Sequence, residues 1–154
     1  IVVIRRIWDV ELQEHLTAHD KLSTVRNSSF RMANYLSNIT IPKFRRAFTL
    51  ARFNVLPSRL LEGRYQGLPV DKRVCPCDEE TIETIDHVLL ECSLYRDIRR
   101  TLLQSILQQT QGRPREFCVQ HLLGDKKPDV TEVVAKFCAA AMRHRSSLPT
   151  SGGE

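Results

Sequence analysis

The sequence predicts a mostly α protein: a small helical domain with a CCHC element, resembling a zinc knuckle, set between helices. Three observations carry this reading. Apolar residues recur at three- and four-residue spacing along most of the chain. No alternating run is long enough to support a sheet. And Cys75-Pro76-Cys77, His87 and Cys92 place four soft or borderline metal ligands in one short stretch. With 154 residues, 42% of them hydrophobic and 27% charged, the chain is long enough for one domain with one core, and it reads as neither disordered nor membrane-spanning. No apolar run approaches the ~20 residues that cross a bilayer.

In order, residues 1–37 form an N-terminal helical segment, 38–145 a helical region holding the cluster at 75–92, and 146–154 a disordered tail. Ile4, Ile7, Trp8, Leu12, Leu16 and Leu22 follow a helical period in the first segment. Ser29 is placed to cap a short helix through Met32, Tyr35 and Leu36. Thr40 and Pro42 signal the start of the next helix, because proline in a first turn forfeits no needed donor. Phe44, Ala47, Phe48, Ala51 and Val55 then make one apolar stripe, which Pro57-Ser58 ends. A short helix over 59–63 should stop at Gly63, and residues 65–74 read as a loop feeding the cysteines.

Beyond the cluster, Ser93 is positioned to cap a long helix whose apolar face is Leu94, Ile98, Leu102 and Ile106. A polar loop follows over 108–115, then a short helix over 117–123 closed by Gly124. Asp129 is expected to cap the last helix. Its core face is Val130, Val133, Val134, Phe137 and Ala141, and Arg143, His144 and Arg145 crowd its final turn, where the helix dipole favours cations.

The opening apolar residues are followed, not preceded, by arginines, which does not fit a signal peptide. A start at Ile1 rather than Met suits a fragment. Five cysteines are an odd number, unlike a secreted disulfide framework. The expectation is an intracellular protein, nuclear or cytoplasmic, without a membrane or small-molecule partner. Cys118 and Cys138 lie in apolar settings and read as core residues; His15, His19, His121 and His144 read as structural.

The net charge of +5 is unevenly spread. Residues 43–73 hold eight basic side chains against Glu62 and Asp71, whereas 78–91 hold six acids and no Lys or Arg. The two blocks could pair internally, or the basic one could face phosphates.

The cysteine cluster has the ligand types of a structural zinc site, three thiolates and an imidazole. Only Pro76 separates the first two cysteines, which makes a tight chelate. In an unbroken α-helix His87 and Cys92 would stand about 140° apart, so the ligand set requires a helix break at Cys92. With all four ligands from protein, such a metal would have no open position and would be structural. No polymerase aspartate turn, nucleophile elbow, P-loop, zincin or deaminase motif occurs. No catalysis is expected.

The stretch CPCDEETIETIDHVLLECSLYRDIRRTLL resembles the cysteine–histidine segment downstream of the reverse transcriptase in non-LTR (LINE-type) retrotransposon polyproteins. IPKFRRAFTLARFNVLPSRLLEGRY before it and HLLGD…VAKFCAAAMRHR after it resemble neighbouring blocks of that region, so the likeness spans about Asn38 to Arg145. The family phrase H-V-L-L-x-C-x-x-Y stands here as His87 to Tyr95, with Ser93 where the family often has proline. The resemblance implies a non-catalytic tail that binds element RNA or target DNA during target-primed reverse transcription, beside an upstream polymerase domain that these residues do not include. Lys43, Arg45, Arg46 and Arg52 would then contact phosphates, with Arg96, Arg99 and Arg100 secondary. Two other readings remain: a metal-stabilised helical domain that docks proteins, and a decayed transposon remnant.

Overall fold

A computed structural model describes residues 32–109, 118–124 and 126–148. The helix expected around Trp8, its neighbour's cap at Ser29, most of the polar loop and the end of the tail lie outside those residues. Six helices are described: α1 (Tyr35–Asn38), α2 (Pro42–Arg52), α3 (Arg59–Tyr65), α4 (Arg96–Gln109), α5 (Val119–Leu122) and α6 (Pro128–Ser146). Between α3 and α4 come a 3₁₀ turn (Val70–Lys72), a π turn (His87–Glu91) and a second 3₁₀ turn (Ser93–Tyr95). Among the described residues the β structure is one antiparallel bridge, Val74 to Ile82.

The central element is α6. Both α2 and α4 pack along it, while α1 and α5 touch it at their own positions. The stripe read from the sequence on α2 is the buried one, with Ala47, Phe48 and Ala51 inside and Phe44 half-buried. The same holds for Val134, Phe137 and Ala141 of α6 and for Leu102 and Ile106 of α4. Burying a side chain such as Phe48 or Phe137 contributes about 1.5–3 kcal/mol. Cys138 is buried among them as expected, and that burial pushes its thiol up to about 12.

Pro42 occupies the first turn of α2 as predicted, whereas Pro128, read as the end of a turn over 125–128, opens α6. Ile41 and Lys127 take the N-cap positions, and Asp129, expected to cap α6, sits inside its first turn near the positive end of the dipole.

Helix ends differ more. Asn54 adopts φ 55°, and the N–H groups of Asn54 and Val55 return to the carbonyls of Ala51 and Leu50. This Schellman closure stops α2 before Pro57 is reached and leaves Val55 outside the helix. The same device ends α3, with Gly67 at φ 69° and Leu68 N–H bonded to Gly63 O at 2.8 Å. Gly63 therefore lies within α3, buried, where a Cβ would stand 2.6 Å from Arg73 Cγ. Its role is to let the Arg73 side chain cross the helix and donate to Leu68 O.

Candidate metal centre

The cluster is assembled by two short local structures. In the first, the Val74–Ile82 bridge closes a hairpin, with Cys75 N–H donating to Thr81 O at 2.7 Å. The Asp78 carboxylate accepts from the N–H groups of Glu80 and Thr81 and from the Thr81 hydroxyl, at 3.1, 3.0 and 2.7 Å. Those bonds, the hydroxyl first, hold the Asp78 carboxyl well below the usual carboxylate range. Glu79 takes a left-handed conformation, φ 60°, to complete the turn. Cys75 and Cys77 project from this loop.

The second structure is the π turn. Thr84 Oγ1 accepts from His87 N–H at 3.2 Å as the chain enters it. Cys92 N–H reaches back five residues to His87 O at 2.8 Å. This wider turn, together with non-helical angles at Cys92 (φ −51°, ψ 126°), supplies the break that the ligand spacing requires. Ser93 opens a 3₁₀ turn rather than capping α4, which starts three residues later.

The ligand atoms of Cys75, Cys77, His87 and Cys92 all lie within 4.8 Å of one another. Cys75 Sγ is 3.5 Å from Cys92 Sγ, and Cys77 Sγ is 3.3 Å from His87 Nε2. A tetrahedron with ~2.3 Å zinc–sulfur bonds has sulfur–sulfur edges of about 3.8 Å, so the cluster is geometrically suited to a structural zinc. Chemistry agrees with geometry. Burial pushes the thiols of Cys75 and Cys92 up, and adjacent buried thiolates need a cation to balance them. Zinc, when bound, would replace those protons and cross-link the hairpin to the π turn. Three thiolates and an imidazole fill its tetrahedral shell and leave no position for a reacting water.

Two outer contacts shape the centre. His87 is buried, and its Nδ1 has no hydrogen-bond partner. The nearest anion is Glu91 Oε2 at 3.6 Å, just beyond bonding range and on an exposed side chain able to close the gap. Arg99, on α4, donates to three carbonyls: Leu89 O at 2.8 Å, Val88 O at 3.0 Å and Cys92 O at 2.8 Å. It thus satisfies the carbonyl ends of the π turn and fixes α4 to the ligand-bearing segment.

This placement separates the predicted basic residues. Arg99 is 8% exposed and Arg52 4% exposed. Arg52 donates to Leu123 O at 3.0 Å and lies over the Tyr35 ring at 5.4 Å. Neither presents its guanidinium to a phosphate, because each is engaged by acceptors inside the fold. Arg45 is half-buried and donates to Leu36 O at 3.0 Å. Lys43, Arg46, Arg96 and Arg100 are exposed; Lys43 lies beside the Phe44 ring and Arg100 is 3.7 Å from Asp97.

One member of the acidic block pairs inside the fold, chiefly with a residue outside the basic block. That member, Glu83, is fully buried and pairs with Arg145 from the far end of α6 at 2.5 Å. Its other oxygen accepts the Arg59 backbone N–H at 2.6 Å. Glu62 also reaches Arg145, at 3.3 Å. Sequence reasoning missed this junction, since 62 residues separate Glu83 from Arg145 and no local pattern links them. Glu91 was more accessible: it stands four residues after His87, the spacing at which helical neighbours meet.

Compared with family models, curated proteins and solved structures, the chain finds no match.

Proposed function

We propose that this chain is a zinc-organised helical module without catalytic function, which docks a protein partner through surfaces the metal helps to hold in place. The observation that carries it is the convergence of four protein ligands within 4.8 Å, a complete tetrahedral shell with no site for substrate. The docking surface is the end of α3 and the turn after it, where Tyr65 (82% exposed), Leu68 and Val70 stand outward within six residues. Large apolar side chains grouped this way are expected at interaction sites. None of the described helices is long and apolar enough to cross a membrane.

The first test is zinc per chain, by elemental mass spectrometry, in protein purified without added metal, beside Cys77→Ser. One zinc per chain, lost in the variant together with helicity, is the expected result. A well-folded protein without metal removes the reading.

A second reading has its own support. Lys43, Arg46, Arg96 and Arg100 remain exposed, and the Asn38–Arg145 region resembles the tail of LINE-type reverse transcriptases. Under that reading the chain binds RNA or DNA beside an upstream polymerase domain during target-primed reverse transcription. Lys43→Glu with Arg46→Glu would then weaken single-stranded RNA binding, and each lost phosphate contact would lower the salt slope by about 0.7. Unchanged RNA affinity leaves protein docking as the function.

A further inference from the structure

Away from the metal centre, the structure brings together a second pair of chemically capable side chains. Cys118 precedes α5 and His121 lies in its first turn; Cys118 Sγ stands 2.8 Å from His121 Nδ1. His121 is exposed and Cys118 is half-exposed. This differs from the reading of Cys118 as a core residue and of His121 as structural. The two sulfurs best placed for simple packing and for metal are elsewhere, Cys138 on the buried face of α6 and Cys75 inside the ligand cluster.

The pair is held in register by its backbone and by the platform beneath it. Cys118 has extended angles (φ −129°, ψ 155°), and its carbonyl accepts from both His121 and Leu122 N–H at 3.0 Å. A serine in this position would turn its side chain to a free backbone N–H of the first turn. Here no side-chain cap forms, and the sulfur meets the imidazole three residues on. Val119, Leu122 and Leu123 bury the opposite face of the turn. Arg52 holds Leu123 O, and the Thr131 hydroxyl donates to Gly124 O at 3.2 Å. The sulfur and the ring nitrogen are thereby brought together at the surface of the turn.

A thiol becomes nucleophilic as the thiolate, and a neighbouring imidazole is the usual base that produces it. We propose that Cys118 and His121 form a reactive thiol–imidazole dyad, a site of covalent modification whose natural co-reactant is a small hydroperoxide. His121 Nδ1 takes the thiol proton, and the thiolate attacks one peroxide oxygen. The S–O bond forms as the O–O bond breaks, sulfur is oxidised by two electrons, and the peroxide is reduced. The imidazolium returns the proton to the leaving hydroxide or alkoxide. The products are Cys118 sulfenic acid and water or an alcohol, the reversible first step of cysteine oxidation.

The test uses the full chain with its metal centre loaded. Hydrogen peroxide is added, sulfenic acid is trapped with dimedone, and each cysteine is read by peptide mass spectrometry. In parallel, iodoacetamide labelling rates are measured at pH 7 for wild type, for His121→Gln, and for wild type unfolded in urea. Cys118 should be the first site trapped, and native Cys118 should label about tenfold faster than in His121→Gln or in the unfolded chain. His121 is exposed, so the variant should keep wild-type circular dichroism. The unfolded wild type gives an independent comparison if it does not. Native labelling no faster than in unfolded protein, or equal rates with and without the imidazole, overturns the proposal. So does dimedone capture at Cys77 or Cys138 ahead of Cys118.

Discussion

His87 faces two different chemistries with its two ring nitrogens, and that difference sets what the candidate metal centre needs. Nε2 points to Cys77 Sγ, while Nδ1 is buried without a partner 3.6 Å from Glu91 Oε2. When Nε2 binds a metal, Nδ1 must carry the proton, and a buried N–H left unsatisfied costs about 1–3 kcal/mol. Glu91 is the acceptor within reach. Glu91→Gln should weaken zinc affinity about 10- to 100-fold, the range typical of outer-shell partners of histidine ligands. Competition against a chromophoric chelator measures it, with circular dichroism of the zinc-loaded variant unchanged. Equal affinities would show that Glu91 does not orient the ring. At this scale the ligands were readable from the sequence because residue type and spacing together define them. The arginines were not: Arg52 and Arg99 look like surface charges until the distant carbonyls they satisfy are in view, at Leu123 for one and at 88, 89 and 92 for the other.

Among the elements, the π turn depends most on its neighbours. Its wide loop leaves carbonyls that a regular helix would have used, and Arg99 collects three of them from α4. Arg99→Leu removes the guanidinium and orphans those acceptors. It should lower stability by about 3 kcal/mol or more, read from urea unfolding of the zinc-loaded protein. Arg100→Leu, on the exposed side of the same helix, should change it by less than about 0.5 kcal/mol. Equal costs for the two would mean that the turn holds itself together. The expectation of a break at Cys92 was sound because it followed from ligand geometry, whereas the expected ends of α2 and α3 were displaced. Pro57 and Gly63 looked like the stops, but the residues that end these helices are Asn54 and Gly67. A left-handed residue stops a helix only where the two N–H groups from it onward meet the last carbonyls. That register comes from what each helix packs on, α6 for α2 and the Val70–Lys72 turn for α3, and a list of breakers does not contain it. The start at Pro42 was more legible, since proline acts through its own fixed φ and missing N–H.

Across the whole molecule, one buried carboxylate joins the metal-bearing segment to the helical bundle. Glu83 follows the hairpin that carries Cys75 and Cys77, accepts the N–H that opens α3, and pairs with Arg145 at the end of α6, with the Tyr95 hydroxyl 3.5 Å away. Burial is the largest influence on it and pushes its carboxyl above the usual value of 4.5, against the opposing pull of the Arg59 N–H and Arg145. The folded chain therefore binds this proton more tightly than the unfolded chain does. It follows that the Glu83 contribution to stability is most favourable below about pH 4.5 and declines as pH rises from there through the raised folded value. Glu83→Gln cannot ionise and serves as the reference. The stability of wild type minus that of Glu83→Gln, from chemical unfolding at a series of pH values, should fall as pH increases and then level off. Both proteins share the thiols, Asp78 and the histidines, so the subtraction isolates this one carboxyl. A difference that instead grows with pH would mean that Arg145 outweighs burial, and that the junction between the metal-bearing segment and the bundle is held chiefly by the ion pair.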